Sequence, residues 1–187
     1  MRYAADHKDR SREKILDAAA HLLRQKGIDG VGLSAIMARA GLTNGAFYAH
    51  FPSRDALVAD ALDAALDFTI GRLRRHAEGF PPEARLRAVV AAYLSPQHCR
   101  APEDGCTFAA LGSDLARLPP ETRARLHLQY DRMRALLAEG LAALGRPPAD
   151  AGTMLATMIG TLTLARLAPD ETAARAQLDN AIEYLLA

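Results

Sequence analysis

The chain has 187 residues, 50% of them hydrophobic, and a formal net charge of +1. This size permits a buried core in one or two small domains. No apolar run reaches the ~20 residues of a membrane span, and the polar N-terminal stretch lacks the apolar region of a signal peptide, so we expect a cytoplasmic protein without a membrane segment. Two cysteines in a reducing compartment are expected to be free thiols.

Charge is divided unevenly along the chain. Residues 1–58 hold nine Lys and Arg against six Asp and Glu, whereas the remainder holds fourteen against sixteen. A basic N-terminal part beside a more acidic remainder is typical of a protein whose N-terminal part binds phosphates.

Hydrophobic periodicity predicts an all-α protein with about nine helices. The first helix is expected from Ser11 to Gly27, a glycine that ends it as a C-terminal cap. A short second helix over residues 33–40 ends at Gly41, which supplies a turn with positive φ. A third helix over residues 43–50 follows.

The remaining helices are separated by proline and glycine. Ser53 is expected to cap a fourth helix that continues to about His76. Residues 95–105 are predicted as a loop. The other helices are expected at about 83–95, 106–117, 120–144, 149–167 and 171–186.

Two short helices joined at Gly41 predict a helix-turn-helix, in which the second helix enters the DNA major groove while the first braces it. We therefore expect two domains. Residues 1–55, here called the head, are predicted to bind DNA. Residues 56–187, the body, are predicted to bind an effector and to dimerise.

A set of residues within positions 12–57, about a quarter of the chain, has a distinctive combination and spacing. The set consists of Ile15-Leu16-Asp17-Ala18-Ala19, Gly27, Ile36, Ala40-Gly41-Leu42, Gly45, Phe47-Tyr48, His50-Phe51, Ser53-Arg54 and Leu57. This pattern resembles the TetR family of bacterial transcriptional regulators. The resemblance implies a homodimer that places one recognition helix in each of two successive major grooves of double-stranded operator DNA.

The resemblance implies contacts to the DNA backbone from four residues. Thr43 is expected to cap the recognition helix and to bond a phosphate, Tyr48 and His50 to hold the backbone, and Arg54 to reach a phosphate. Ser34 is a further candidate for a phosphate contact. The alternatives are that Tyr48 is half-buried against the body and that His50 satisfies a local backbone group.

Three small residues occupy the positions where the resemblance places base contacts, namely Asn44, Gly45 and Ala46. Asn can pair with adenine through two hydrogen bonds, and Ala can contact a thymine methyl group. Glycine lets the backbone approach the bases closely.

The segment Gly105-Cys106-Thr107-Phe108 is similar to the start of the sixth helix in one TetR branch, although Thr107 stands where that branch has Pro. Some members of the branch respond to electrophiles or oxidants through this cysteine. A first-turn position is expected to lower the thiol pKa. Alternatively, Cys106 is a small buried side chain of the core or forms a disulfide with Cys99. A metal site formed by both cysteines with His98 and Asp104 is a third alternative, but this set of ligands is incomplete.

Two further features concern the body. Residues 149–167 are apolar on more than one face, so this helix and the last one are expected to form a four-helix bundle with the two-fold mate; the alternative is a monomer core. A TetR-like body also implies an apolar effector pocket. Its candidate lining residues are Tyr93, Cys106, Phe108, Tyr130, Met133, Met154 and Met158.

The sequence therefore predicts a homodimeric repressor that a small apolar or electrophilic effector releases from its operator. The alternatives are a thiol-responsive regulator acting through Cys106, an all-helical enzyme, and an adaptor that uses the helix-turn-helix for protein contacts. No Gly-rich phosphate loop, nucleophile elbow or complete metal motif is present, so we expect no catalytic activity, cofactor or metal.

Overall fold

The structure, a computed structural model, describes the backbone of residues 2–187 and the side chains from residue 8 onward. All regular structure in this part of the chain is helical. Nine α-helices follow one another, with a 3₁₀ helix at Asn44–Ala49 between the second and the third. They are α1 (Arg2–Lys26), α2 (Leu33–Arg39), α3 (Arg54–Glu78), α4 (Pro82–Tyr93), α5 (Pro96–Arg100), α6 (Thr107–Leu115), α7 (Pro120–Ala143), α8 (Ala151–Ala165) and α9 (Glu171–Leu186).

The predicted all-α class is confirmed, and two local predictions need correction. Helix α1 begins at Arg2 instead of Ser11, with Met1 outside the described residues. The predicted loop at 95–105 contains α5 and a 3₁₀ turn. The predicted third helix is present, and it is a 3₁₀ helix. Within the described residues, no helix is both long enough and apolar enough to span a membrane.

The turn and cap signals near the N-terminus are confirmed. Gly27 and Gly41 have φ values of +80° and +71°, the left-handed region that glycine adopts without steric cost. The Ser53 hydroxyl accepts a hydrogen bond from the backbone N–H of Ala56 at 3.1 Å, so it caps α3.

Two apolar clusters meet along α3. The head cluster joins α1, α2, the 3₁₀ helix and the first half of α3, up to Leu66, with Leu111 and Leu115 of α6. The body cluster begins at Ile70 and joins the second half of α3 to α4 and α7–α9. The predicted division at residue 55 therefore falls inside α3, because this one helix contributes to both cores.

Polar contacts join α1 and the residues directly after it to the body. His21 Nδ1 lies 3.1 Å from Asp104 Oδ1, and Arg24 Nε donates to the Glu103 carbonyl oxygen at 2.6 Å. The backbone N–H of Ile28 donates to Asp114 Oδ2 at 3.1 Å. The position of the head is thus tied to the segment that leads into α6.

Candidate DNA interface

The helix-turn-helix is built around the end of α2. The backbone N–H of Leu42 donates to the Met37 carbonyl at 2.9 Å, and that of Gly41 donates to the Ala38 carbonyl at 3.1 Å. Together with the positive φ of Gly41, these bonds form a Schellman motif, which satisfies the last carbonyls of α2 and reverses the chain. The turn sets the direction in which the 3₁₀ helix leaves α2.

Buried aromatic rings anchor the 3₁₀ helix. Phe47 and Phe51 are both 1% exposed, and their rings stack with centroids 5.8 Å apart. They belong to the head cluster with Ile36 and Met37 of α2, both 0% exposed. Burying each phenyl ring contributes about 1.5–3 kcal/mol. This anchor fixes which side of the 3₁₀ helix faces solvent.

The 3₁₀ helix presents polar and small residues to solvent beside this buried anchor. Asn44, Gly45 and Tyr48 are exposed, Tyr48 to 74%, while Ala46 and His50 are partly buried. A 3₁₀ helix has three residues per turn, so Gly45 and Tyr48 lie on the same side. The alternative that Tyr48 is half-buried against the body is wrong, since its ring touches Phe47 edge-on and otherwise faces solvent.

Ser34 and Thr43 differ from each other in their contacts. Ser34 Oγ accepts a hydrogen bond from Asn44 Nδ2 at 2.9 Å, which joins α2 to the 3₁₀ helix. Thr43 occupies the N-cap position, but its side chain makes no capping bond with any described residue. The expected Thr43 cap is therefore wrong, and the exposed hydroxyl faces solvent.

Arg54 is bound within the head. Its Nη2 donates to the backbone carbonyls of Ile28, at 2.5 Å, and Val31, at 3.0 Å. The guanidinium thus ties the first turn of α3 to the loop between α1 and α2. These bonds use Nη2 alone, and Nε and Nη1 keep three further N–H donors in a partly buried position, so the phosphate contact of Arg54 stays a prediction.

Comparison with known proteins decides the family. Residues 15–61 match the family of bacterial regulatory proteins, tetR family, and residues 82–181 match the tetracyclin repressor-like C-terminal domain. This chain belongs to the TetR family. It is therefore a helix-turn-helix transcriptional regulator, as the sequence predicted.

Individual relatives agree with the TetR assignment. The chain is 31% identical to the HTH-type regulator BetI of Burkholderia thailandensis over 159 residues, covering 82% of this chain and 80% of BetI. A shorter match, to the uncharacterised regulator YvdT of Bacillus subtilis, is 34% identical and spans only 34% of that protein. The reduced form of Escherichia coli NemR shares the fold, with a TM-score of 0.80 at 22% identity over 94% of each chain.

The predicted effector residues of this TetR body come together but are packed closely. Tyr93, Cys106, Met133, Met154 and Met158 are buried in the body cluster, at most 3% exposed. Phe108 and Tyr130 lie at its edge, with ring centroids 6.2 Å apart. Two cavities in the structure are lined by other residues, one between α3, α4 and α7 and one beside α1 and α3. The candidate residues thus form core in this conformation.

Cys106 differs from the expected reactive thiol. Its side chain is 0% exposed, and burial raises the thiol pKa, outweighing the nearby polar groups that favour the thiolate, the Tyr93 hydroxyl first and then the backbone N–H groups at the start of α6. The expectation that the helix start would lower the pKa is wrong in this conformation, because loss of water penalises the thiolate more than the helix terminus stabilises it. Among the described residues, Cys99 and Cys106 are free thiols.

His98 is a buried residue whose role the sequence did not reveal. Its Nδ1 lies 2.6 Å from the Tyr93 carbonyl oxygen, and its Nε2 accepts the Cys106 backbone N–H at 2.9 Å. These partners require a neutral ring with the proton on Nδ1. Burial lowers the His98 pKa to about 4, although the bond to the Tyr93 carbonyl opposes that shift. Both ring nitrogens are occupied, so this geometry offers no imidazole to the metal site considered above.

Proposed function

We propose that this TetR-family regulator is a homodimeric repressor that binds operator DNA through the exposed side of its 3₁₀ helix. A small effector releases it from the operator. The observation that carries the proposal is the arrangement of the 3₁₀ helix, in which Phe47 is anchored and Tyr48 is 74% exposed. A polar surface whose orientation is fixed by the buried Phe47 ring and by the turn at Gly41 is suited to enter a major groove.

The proposed division of labour follows from side-chain chemistry. Thr43, Tyr48 and His50 offer hydroxyl or ring N–H donors to phosphate oxygens and hold the backbone without selecting sequence. Asn44 and the neighbouring Gly45 meet base edges. Ala46 completes the base-facing set and can contact a thymine methyl group, although part of its surface packs against the head cluster.

We further propose that α8 and α9 form the dimer interface. Leu164, Leu167 and Tyr184 expose 56%, 78% and 77% of their surfaces on or directly after these helices. Large exposed apolar residues on adjacent helices are favourable for self-association through a two-fold axis. Such a dimer would present two heads to half-sites about one helical turn apart.

Release by an effector requires the packed body cluster to open. A small apolar molecule that binds among Tyr93, Phe108 and Met158 would bind only a loosened body, and it would shift the population toward that state. The contacts of α1 with Glu103 and Asp104, and of Ile28 with Asp114, would transmit the change to the head. A thiol-responsive regulator stays an alternative prediction, but the burial of Cys106 does not favour it.

Selection of bound fragments from a random or genomic DNA pool tests this proposal. We expect recovered sites to contain two inverted half-sites about one helical turn apart. Their affinity should fall steeply between about 50 and 200 mM salt, because phosphate contacts release counterions. Recovery of no common sequence, or binding that is independent of salt, would contradict the proposal and would favour the adaptor alternative.

A further inference from the structure

The side chains of Ser34 and Asn44 connect the two arms of the helix-turn-helix. Ser34 is the second residue of α2 and Asn44 the first of the 3₁₀ helix, and both are exposed. Asn44 Nδ2 donates to Ser34 Oγ at 2.9 Å. Because the bond lies on the exposed surface of the head, it orients Asn44 at the position where a base edge would be met.

The bond leaves complementary groups available on both residues. A hydroxyl has one donor and two acceptor sites, so Ser34 Oγ can accept from Asn44 and still donate its own proton. A side-chain amide has two N–H donors and one carbonyl, so Asn44 retains one N–H and Oδ1. That remaining pair matches the N7 acceptor and the N6 amino donor of adenine in the major groove.

We propose that Ser34 is a positioning residue for base readout, which fixes the Asn44 amide for adenine while its own hydroxyl proton bonds a phosphate oxygen. The proposal rests on the proposed function, because it requires Asn44 to meet a base. Ser34 thereby links a backbone contact, which sets the register of the head on the duplex, to a base contact, which selects sequence. The amide is ordered before DNA arrives, so less conformational freedom is lost on binding.

Loss of the Ser34 hydroxyl should change the preference for adenine over other bases, and not only the overall affinity for DNA. Loss of one neutral side-chain hydrogen bond corresponds to a change of about 3- to 10-fold. Ser34→Ala should therefore reduce the preference for adenine at one position of each half-site by about that factor. Ser34→Thr keeps a hydroxyl and should restore most of the preference.

A double-mutant cycle on the full chain tests the coupling. The affinities of wild type, Ser34→Ala, Asn44→Ala and the double variant are measured on the selected operator and on duplexes with each other base at every half-site position. Ser113→Ala on α6 is the matched control, since Ser113 is also an exposed helical serine. We expect Asn44→Ala to reduce adenine discrimination at least about 10-fold and Ser34→Ala to add little in its presence.

The possible failures separate this proposal from the proposed function. If Ser34→Ala weakens all duplexes equally and leaves the adenine preference intact, Ser34 is a phosphate contact alone and the positioning role is refuted. Additive effects of the two single substitutions on discrimination would also refute it. If Asn44→Ala leaves the base preference unchanged, direct readout by Asn44 is refuted as well, although operator binding by the head still stands.

Discussion

Replacing His98 by Asn should make the stability of the protein less dependent on acid pH. Asn retains a donor near the position of Nδ1, which bonds the Tyr93 carbonyl, but lacks the acceptor that His98 Nε2 provides for the Cys106 backbone N–H. A buried N–H without its partner costs about 1–3 kcal/mol. At neutral pH, the His98→Asn variant should therefore be less stable than wild type by about this amount.

The pH dependence follows from the difference between the folded and unfolded states. The His98 pKa is about 4 in the folded protein, below its ordinary value of 6.5. Between these values the unfolded chain binds more protons, so acid favours unfolding. The stabilisation by neutral His98 is complete above pH 6.5 and is lost as pH falls toward 4. The loss amounts to about 3 kcal/mol, since one pKa unit corresponds to 1.36 kcal/mol.

Urea unfolding of both proteins at pH 7, 6, 5 and 4, at one fixed protein concentration, measures this difference. Fixed concentration is needed because dimerisation contributes to apparent stability. Relative to the His98→Asn variant, wild type should lose about 3 kcal/mol of stability between pH 7 and pH 4, so that at pH 4 the variant is as stable as wild type or more stable. Carboxylates common to both proteins affect them equally. A constant difference across the range would refute the assignment of His98 as a buried neutral brace between α4 and α6.

Two further predictions concern Arg54 and Cys106. Arg54→Ala should lower the free energy of unfolding by about 1.5–3 kcal/mol, because the guanidinium bonds two backbone carbonyls. The operator affinity of the folded variant should stay within about 2-fold of wild type. A larger loss of affinity without destabilisation would support the phosphate role instead. In a Cys99→Ala background, labelling of Cys106 by a disulfide reagent should be at least about 100-fold slower in native protein than in urea. Equal labelling rates in native protein and in urea would support the thiol-responsive alternative.

Features determined by neighbouring residues could be predicted from the sequence. Gly27 and Gly41 marked the ends of α1 and α2, because only glycine adopts positive φ without steric cost. Ser53 marked the start of α3 in the same way. The signal for α5 was also present, since Ser95 before Pro96 is a helix-start pattern, and Ser95 Oγ does accept the His98 N–H.

Contacts between distant residues could not be predicted in this way. Arg54 bonds carbonyls that lie 23 and 26 positions earlier in the chain. His98 reaches the Cys106 N–H only because α5 turns back toward the start of α6. The thiol pKa was predicted in the wrong direction for the same reason, since burial is set by tertiary packing and the helix position alone does not reveal it.

A negative charge placed on the exposed side of the 3₁₀ helix tests whether DNA lies against that side. Gly45 and Gly112 are both exposed, and a Cβ atom added at either position meets no atom of the surrounding structure within 4 Å. Gly45→Glu and Gly112→Glu therefore add the same negative charge to the head and to α6 of the body at positions that have room for a Cβ atom.

The decisive measurement is the affinity of these two variants for the selected operator at one salt concentration. Repulsion between the new carboxylate and the phosphates should weaken binding by Gly45→Glu at least about 10-fold. Gly112→Glu should bind within about 2-fold of wild type. Equal affinity of Gly45→Glu and wild type would show that DNA does not lie against this side of the 3₁₀ helix, because a carboxylate at a DNA interface repels the phosphates.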